Sequence, residues 1–254
     1  MHKNSPLLIL GMGFFILVSH LHAQEMPIHA ATPEIAQKLR SAMELTGHDM
    51  QLMSQQIGSL LEMDENLFIA NVFMASQAEG MGNEEMLQRH LKRVKRHEGE
   101  LSEGEKVFAE MLGHEGDDSF DFSPIGAKLV KLYPNDAALH VIAGYLYMQS
   151  EKPKQAIAVF QKAVDLKGLA GAYNMMGYAY MQLKDMDKAK ASFEAYQQAA
   201  PNHANPYDSM GDYYMAIEDF AMAAASFEKA ASMDERFATS KEKAQNAREM
   251  AGKK

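Results

Sequence analysis

Cysteine is absent from the 254 residues. That excludes disulfides, thiolate nucleophiles, Cys-ligated metals and a lipid-modified N-terminal cysteine. A chain held by packing alone needs apolar content, and 47% of this one is hydrophobic. Tryptophan is also absent. Val, Ile and Thr are sparse and apolar/polar alternation is rare, so a β-sheet has little to be built from. Positive charge is in deficit: the net charge of −9 argues against general binding to nucleic acid or anionic membranes. Catalytic signatures are missing too. There is no HExxH, no Gly-rich phosphate loop and no Ser-His-Asp pattern. No catalytic residue, cofactor or metal is therefore assigned.

The chain opens with a weakly positive start at Lys3, followed by an apolar run, LLILGMGFFILV, from Leu7 to Val18. That run has the length of a secretory h-region and is short for a membrane span. Residues 1–23 read as a signal peptide with Ala23 as the last residue before cleavage, although Leu21 is larger than the usual small residue there. The mature protein then begins at Gln24, has 254 − 23 = 231 residues, and loses only Lys3, so its charge is −9 − 1 = −10. The expected location is the periplasm or outside the cell.

The rest is rich in Ala, Met, Leu, Lys, Gln and Glu, which favour helix, and apolar residues recur three and four apart. The reading is all-α. A period then emerges. Gly144, Gly177 and Gly211 are each followed by a tyrosine three residues on, Tyr147, Tyr180 and Tyr214. Twelve residues after each glycine come Ala156, Ala189 and Ala223; four further on come Phe160, Phe193 and Phe227. Ala163, Tyr196 and Ala230 follow, with Tyr196 breaking the small-residue pattern. Each unit is thus two antiparallel helices, with glycine and alanine where the backbones approach and aromatics filling the volume beside the crossing. One unit cannot bury its apolar face alone, so units stack.

The pattern resembles the tetratricopeptide repeat over 137–236, with Pro201 at a junction position. His140, Tyr173 and Tyr207 stand at the fourth position; Ala143, Met176 and Met210 stand at the seventh. The resemblance implies a right-handed α-solenoid. Upstream the pattern decays while its length persists. A unit at 103–136 has Phe122, Gly126 and Leu129 at the second-helix landmarks. A unit at 68–102 has Ala75 for the glycine and Leu87, Leu91 and Val94 as a stripe. A first unit at 34–67 has Ser41, Met53, Ile57 and Leu60. Six helix pairs are expected: degenerate ones across 24–136, three well-matched ones across 137–236, then a polar capping helix with a frayed tail across 237–254. The stretch 113–121 reads as a loop. LSEGEK, LYPND, YNMMGYAY and NPYDSMGDYY also resemble exported tetratricopeptide proteins of the Bacteroidetes, which implies scaffolding and no enzymatic activity.

The resemblance implies a concave groove lined by first helices that binds a partner protein or peptide. Its lining would be Val141, Tyr145, Met148, Asn174, Tyr178, Met181, Asn205, Asp208, Asp212 and Met215. Asn174 matches one position of the carboxylate clamp found in some members. The basic residues of that clamp are missing, and Asp208 and Asp212 would repel a carboxylate, so the acidic end should prefer basic or neutral peptides. An alternative role is an accessory or regulatory subunit of an envelope enzyme, sensor or transport system. Arg89, Lys92, Arg93 and Arg96 form a basic block that reads as a solvated face near a helix C-terminus, or else a docking patch for an anionic partner. His90 and His97 read as surface residues of that block. Asp117, Asp118 and Asp121 read as solvated loop acids. Methionines near His48 (Met50, Met53, Met63) and in the fifth unit (Met175, Met176, Met181, Met186) raise Cu(I) binding, but gap-filling explains most of them.

Overall fold

The computed structural model describes residues 25–97, 99–114 and 119–253. The expected signal peptide and Asp117 and Asp118 lie outside these residues. Regular structure within them is thirteen α-helices and one 3-10 turn, with no strand. Six helix pairs follow in order: α1 (Pro33–Met43) with α2 (Met50–Met63), α3 (Phe68–Gly80) with α4 (Glu84–Lys95), and α5 (Glu103–Ala109) with α6 (Ser123–Leu132). The later pairs are α7 (Ala137–Gln149) with α8 (Pro153–Lys167), α9 (Ala170–Gln182) with α10 (Met186–Ala199), and α11 (Asn205–Ala216) with α12 (Phe220–Met233). The turn Glu235–Phe237 leads into α13 (Ala238–Ala251), which packs on α12. The molecule is an all-α solenoid of helix pairs with a capping helix.

The landmarks do what their chemistry dictates. A Cβ built on Gly144, Gly177 or Gly211 would lie 2.2, 2.4 or 2.5 Å from the ring of Phe160, Phe193 or Phe227. Each phenylalanine therefore seals the crossing that its glycine opens, and all three rings are buried. The turns inside units keep register as well. Glu151, Lys184 and Glu218 adopt positive φ at equivalent places, and Gly82 does so in the second unit. Asn83, Asp185 and Asp219 then cap the second helices by accepting backbone N–H bonds.

Two pairs depart from this scheme. The turn inside the third unit spans 110–122, and that inside the first spans 44–49, against three residues at 81–83, 150–152, 183–185 and 217–219. The segment before α1 is extended and fixed. Met26 is fully buried, its N–H donates to Asp136 Oδ2 at 3.0 Å, and Arg40 donates to the same oxygen at 2.7 Å. The buried Glu105 carboxylate accepts from the N–H groups of His29 and Ser102 and meets His29 Nδ1 at 2.6 Å. The first three units and α7 share one apolar core.

The basic block runs from Arg89 in the middle of α4 through its last turn to the C-cap Arg96. Arg89 pairs with Glu85, and Arg93 reaches Glu65 at 3.0 Å; Lys92 and Arg96 are exposed. His90 and His97 are not surface residues of that block. His90 is buried with Nδ1 2.9 Å from Asn71 Oδ1, and His97 sets its ring edge-on to Phe68. Burial, then the nearby Arg93 and Arg89, holds the His90 imidazole below its ordinary pKa. Asp121 is engaged, accepting from Ser123 N–H at 3.0 Å and from Lys152 at 2.7 Å.

Candidate functional site: an apolar cavity beside self-engaged polar residues

Of the ten residues expected to line the groove, Tyr145 alone is an exposed large side chain, at 43%. Val141 is fully buried in the core between units and offers no surface. Met148, Met181 and Met215 pack partly buried against the unit cores. The polar members are engaged by the protein itself, at two places.

The first is the acidic end. Lys243 of α13 sits between Asp208 and Asp212, donating at 2.8 and 3.0 Å, and Ser240 donates to Asp208 at 2.6 Å. Tyr178 donates its hydroxyl to Asp212 at 2.8 Å. Burial and the Asp212 charge push the Tyr178 phenol far above its ordinary pKa, so it stays a donor. The acidic end therefore already holds a basic group, supplied by the capping helix.

The second place is the long turn of the first unit, which lies on α9, α10 and α11. Asn174 Nδ2 donates to Gly47 O at 2.7 Å, and Asn205 Nδ2 donates to His48 O at 2.8 Å. The buried Tyr196 hydroxyl lies 2.8 Å from His48 Nδ1 and 2.9 Å from Asn205 Nδ2. Close approach requires Gly171, where a Cβ would stand 2.1 Å from Thr46 O. Arg236 forks onto the Asp49 carboxylate at 3.2 and 3.0 Å. The resident turn leaves Asn174 Oδ1, buried, with no partner.

Beside this turn lies a cavity of about 540 Å³ between α2, α3, the long third-unit turn and α7. Met43, Met50, Met53, Phe73, Phe120 and Tyr145 are among its walls, and Thr46, Ser76, Gln77 and Gln149 are its polar members. None of the nineteen lining residues is charged or a histidine. Met50 and Tyr145, both 43% exposed, stand at its rim. Tyr145, expected on the groove of the later units, borders this cavity, and Met50 and Met53 wall its apolar space. No group of three His, Asp or Glu able to hold a metal occurs among the described residues. No helix among them is long and apolar enough to cross a membrane.

Comparison with known proteins fits this geometry. Residues 137–168, 170–203 and 204–237 match the tetratricopeptide repeat. These three matched stretches coincide with the pairs α7/α8, α9/α10 and α11/α12. No curated protein sequence matches the chain. Among solved structures, a thermophilic TPR protein of Thermus thermophilus is 16% identical, covering 70% of this chain and 96% of that one with a TM-score of 0.56. That likeness shows the fold. MamA is 20% identical over 61% of this chain and 100% of its own, with a TM-score of 0.44.

Proposed function

We propose that the protein is a non-enzymatic interaction module that receives the apolar face of a partner protein's helix in the groove between α2, α3 and α7. One observation carries the reading: a cavity of about 540 Å³ whose nineteen lining residues include no charged side chain. Such a wall desolvates an apolar surface without burying an unpaired charge. The methionines add adaptability, because an unbranched thioether repacks around different shapes. The three tetratricopeptide units agree with this, since repeats of this kind generally mediate protein–protein contact. The engaged Asn174, Asn205, Asp208 and Asp212 move the expected surface away from the acidic end and towards the first four units.

The test uses fluorescent helical peptides of one length whose buried-face residues are apolar, acidic or basic. Anisotropy should show binding of the apolar-faced peptide, weakened at least ~10-fold by Phe73→Asp, equivalent to about 1.4 kcal/mol. Equal affinity of Phe73→Asp and wild type would sink the reading. We place this activity in the periplasm or outside the cell, on the strength of the apolar run Leu7–Val18. N-terminal sequencing of the protein from its native source should read from Gln24; an intact Met1 would remove that support.

A further inference from the structure

We propose that the Thr46–Asp49 turn is an intramolecular latch seated on helices α9, α10 and α11, closed when His48 is neutral and released when His48 takes up a proton. Its release would regulate the apolar groove, and that part rests on the function proposed above.

The latch is built from departures from regularity. The turn 44–49 is longer than the three-residue turns of the regular pairs. Tyr196 stands where the other units have Ala163 and Ala230, and its hydroxyl is the hub between His48 and Asn205. Gly171 gives the turn room to seat. The receptor grips mainly the backbone, through the carbonyls of Gly47 and His48. Asn174 Oδ1 stays unpartnered even when the latch is shut, so the closed state is not fully satisfied.

The proton-sensitive element is the His48 ring, which packs against that of His203. The imidazoles of His48 and His203 meet edge-on, with centroids 4.6 Å apart and planes at 65°. Around His48 stand Tyr196 from α10, His203 from the α10–α11 loop, Asn205 from α11, and Asp49 from its own turn. Asp49 favours the protonated ring, but its carboxylate is already shared by Arg236 and by the N–H of Leu52 that it caps. Arg236, held on Asp49, is a cation close by, and it also engages Asp234. A charge on His48 beside that guanidinium is repelled by it. Burial first, then His203, holds His48 below its ordinary value of 6.5 while the turn is seated. The open state, with the ring in water, binds protons more readily. Acid below about 6.5 therefore draws the equilibrium towards opening, and alkali favours closure.

Thr46, the first residue of the latch, and Met50, which follows it, also line the apolar cavity, and Tyr145 borders both. The turn cannot leave Asn174 without moving them.

The absence of cysteine makes the test clean. Gln51 and Asn202, both exposed, are replaced by cysteine and spin-labelled, and their separation is measured by pulsed electron resonance at pH 8 and pH 5. Wild type should give one short distance at pH 8 and a growing longer population at pH 5, with unchanged helical circular dichroism. His48→Asn, whose carboxamide cannot take a proton, should stay closed at both. Gly171→Ala should be open at pH 8, because its methyl excludes the turn while suiting helix α9. A wild-type distance unchanged between pH 8 and 5, or a closed Gly171→Ala, overturns the latch. The uncharged dye N-phenyl-1-naphthylamine reads the groove separately. Its affinity should change several-fold on opening. If distances shift and dye binding does not, regulation of the groove is refuted while the latch stands. If Phe73→Asp binds the dye as wild type does, the groove reading fails independently.

Discussion

Tyr196 is the residue at which regularity and specialisation meet. The repeat asks for a small side chain there, as at Ala163 and Ala230, and the chain places there the largest fully buried side chain among the described residues. The ring does not disturb the crossing, which Gly177 and Phe193 still make. What it adds is a hydroxyl contacting His48 and Asn205. Tyr196→Phe should therefore destabilise by about 1–3 kcal/mol, because buried polar partners lose their bond while packing persists. Urea titration checks this, and a change near zero would show that the hydroxyl is not engaged. Gly177→Ala tests the other property of the site. Its methyl would stand 2.4 Å from the Phe193 ring, and overpacking of that kind costs about 1–3 kcal/mol. The repeat glycines were legible because periodicity exposes them. Tyr196 was legible only as an exception, and the reason for it lies 148 residues away at His48.

At the scale of elements, what separates the readable from the unreadable is whether a segment buries its own side chains periodically. The last three pairs do so regularly, whereas in the first three the pattern decays and only the length of the period persists. The extended stretch 25–31 has no period. It is ordered by single contacts: Met26 beneath Gly104, and backbone donors aimed at Glu105, Asp136 and Asp64. The same reasoning explains His90. A hydrophilic block hid an inward-facing imidazole whose partner, Asn71, lies on another helix. Removing residues 25–31 should be strongly destabilising, because Glu105 is a fully buried carboxylate that would lose both its contacts to His29. Breaking a buried charge's partnership costs about 3–5 kcal/mol. Thermal melting of a chain begun at Thr32 measures this, and an unchanged midpoint would refute it.

At the scale of the molecule, a solenoid normally has only neighbour contacts, so its stability is nearly a sum of units and it can unfold piecemeal. Here the first unit touches the fifth and sixth through Gly47–Asn174, His48–Asn205 and Asp49–Arg236. Lys167 at the end of α8 also bridges to Glu44 at 2.6 Å. These contacts close the chain on itself and tie the apolar groove of the early units to the regular repeats of the later ones. Closure should convert piecemeal unfolding into one cooperative transition, because neither half can open without breaking the shared contacts. Far-UV circular dichroism and a fluorophore on Gln51→Cys should then report the same urea midpoint in wild type. Replacing Asn174 and Asn205 together by alanine removes both carbonyl grips while leaving the unit cores intact. The two probes should then separate, with the Gln51 region melting first. Coincident transitions in the double variant would mean that the Asn174 and Asn205 bridges do not couple the two ends.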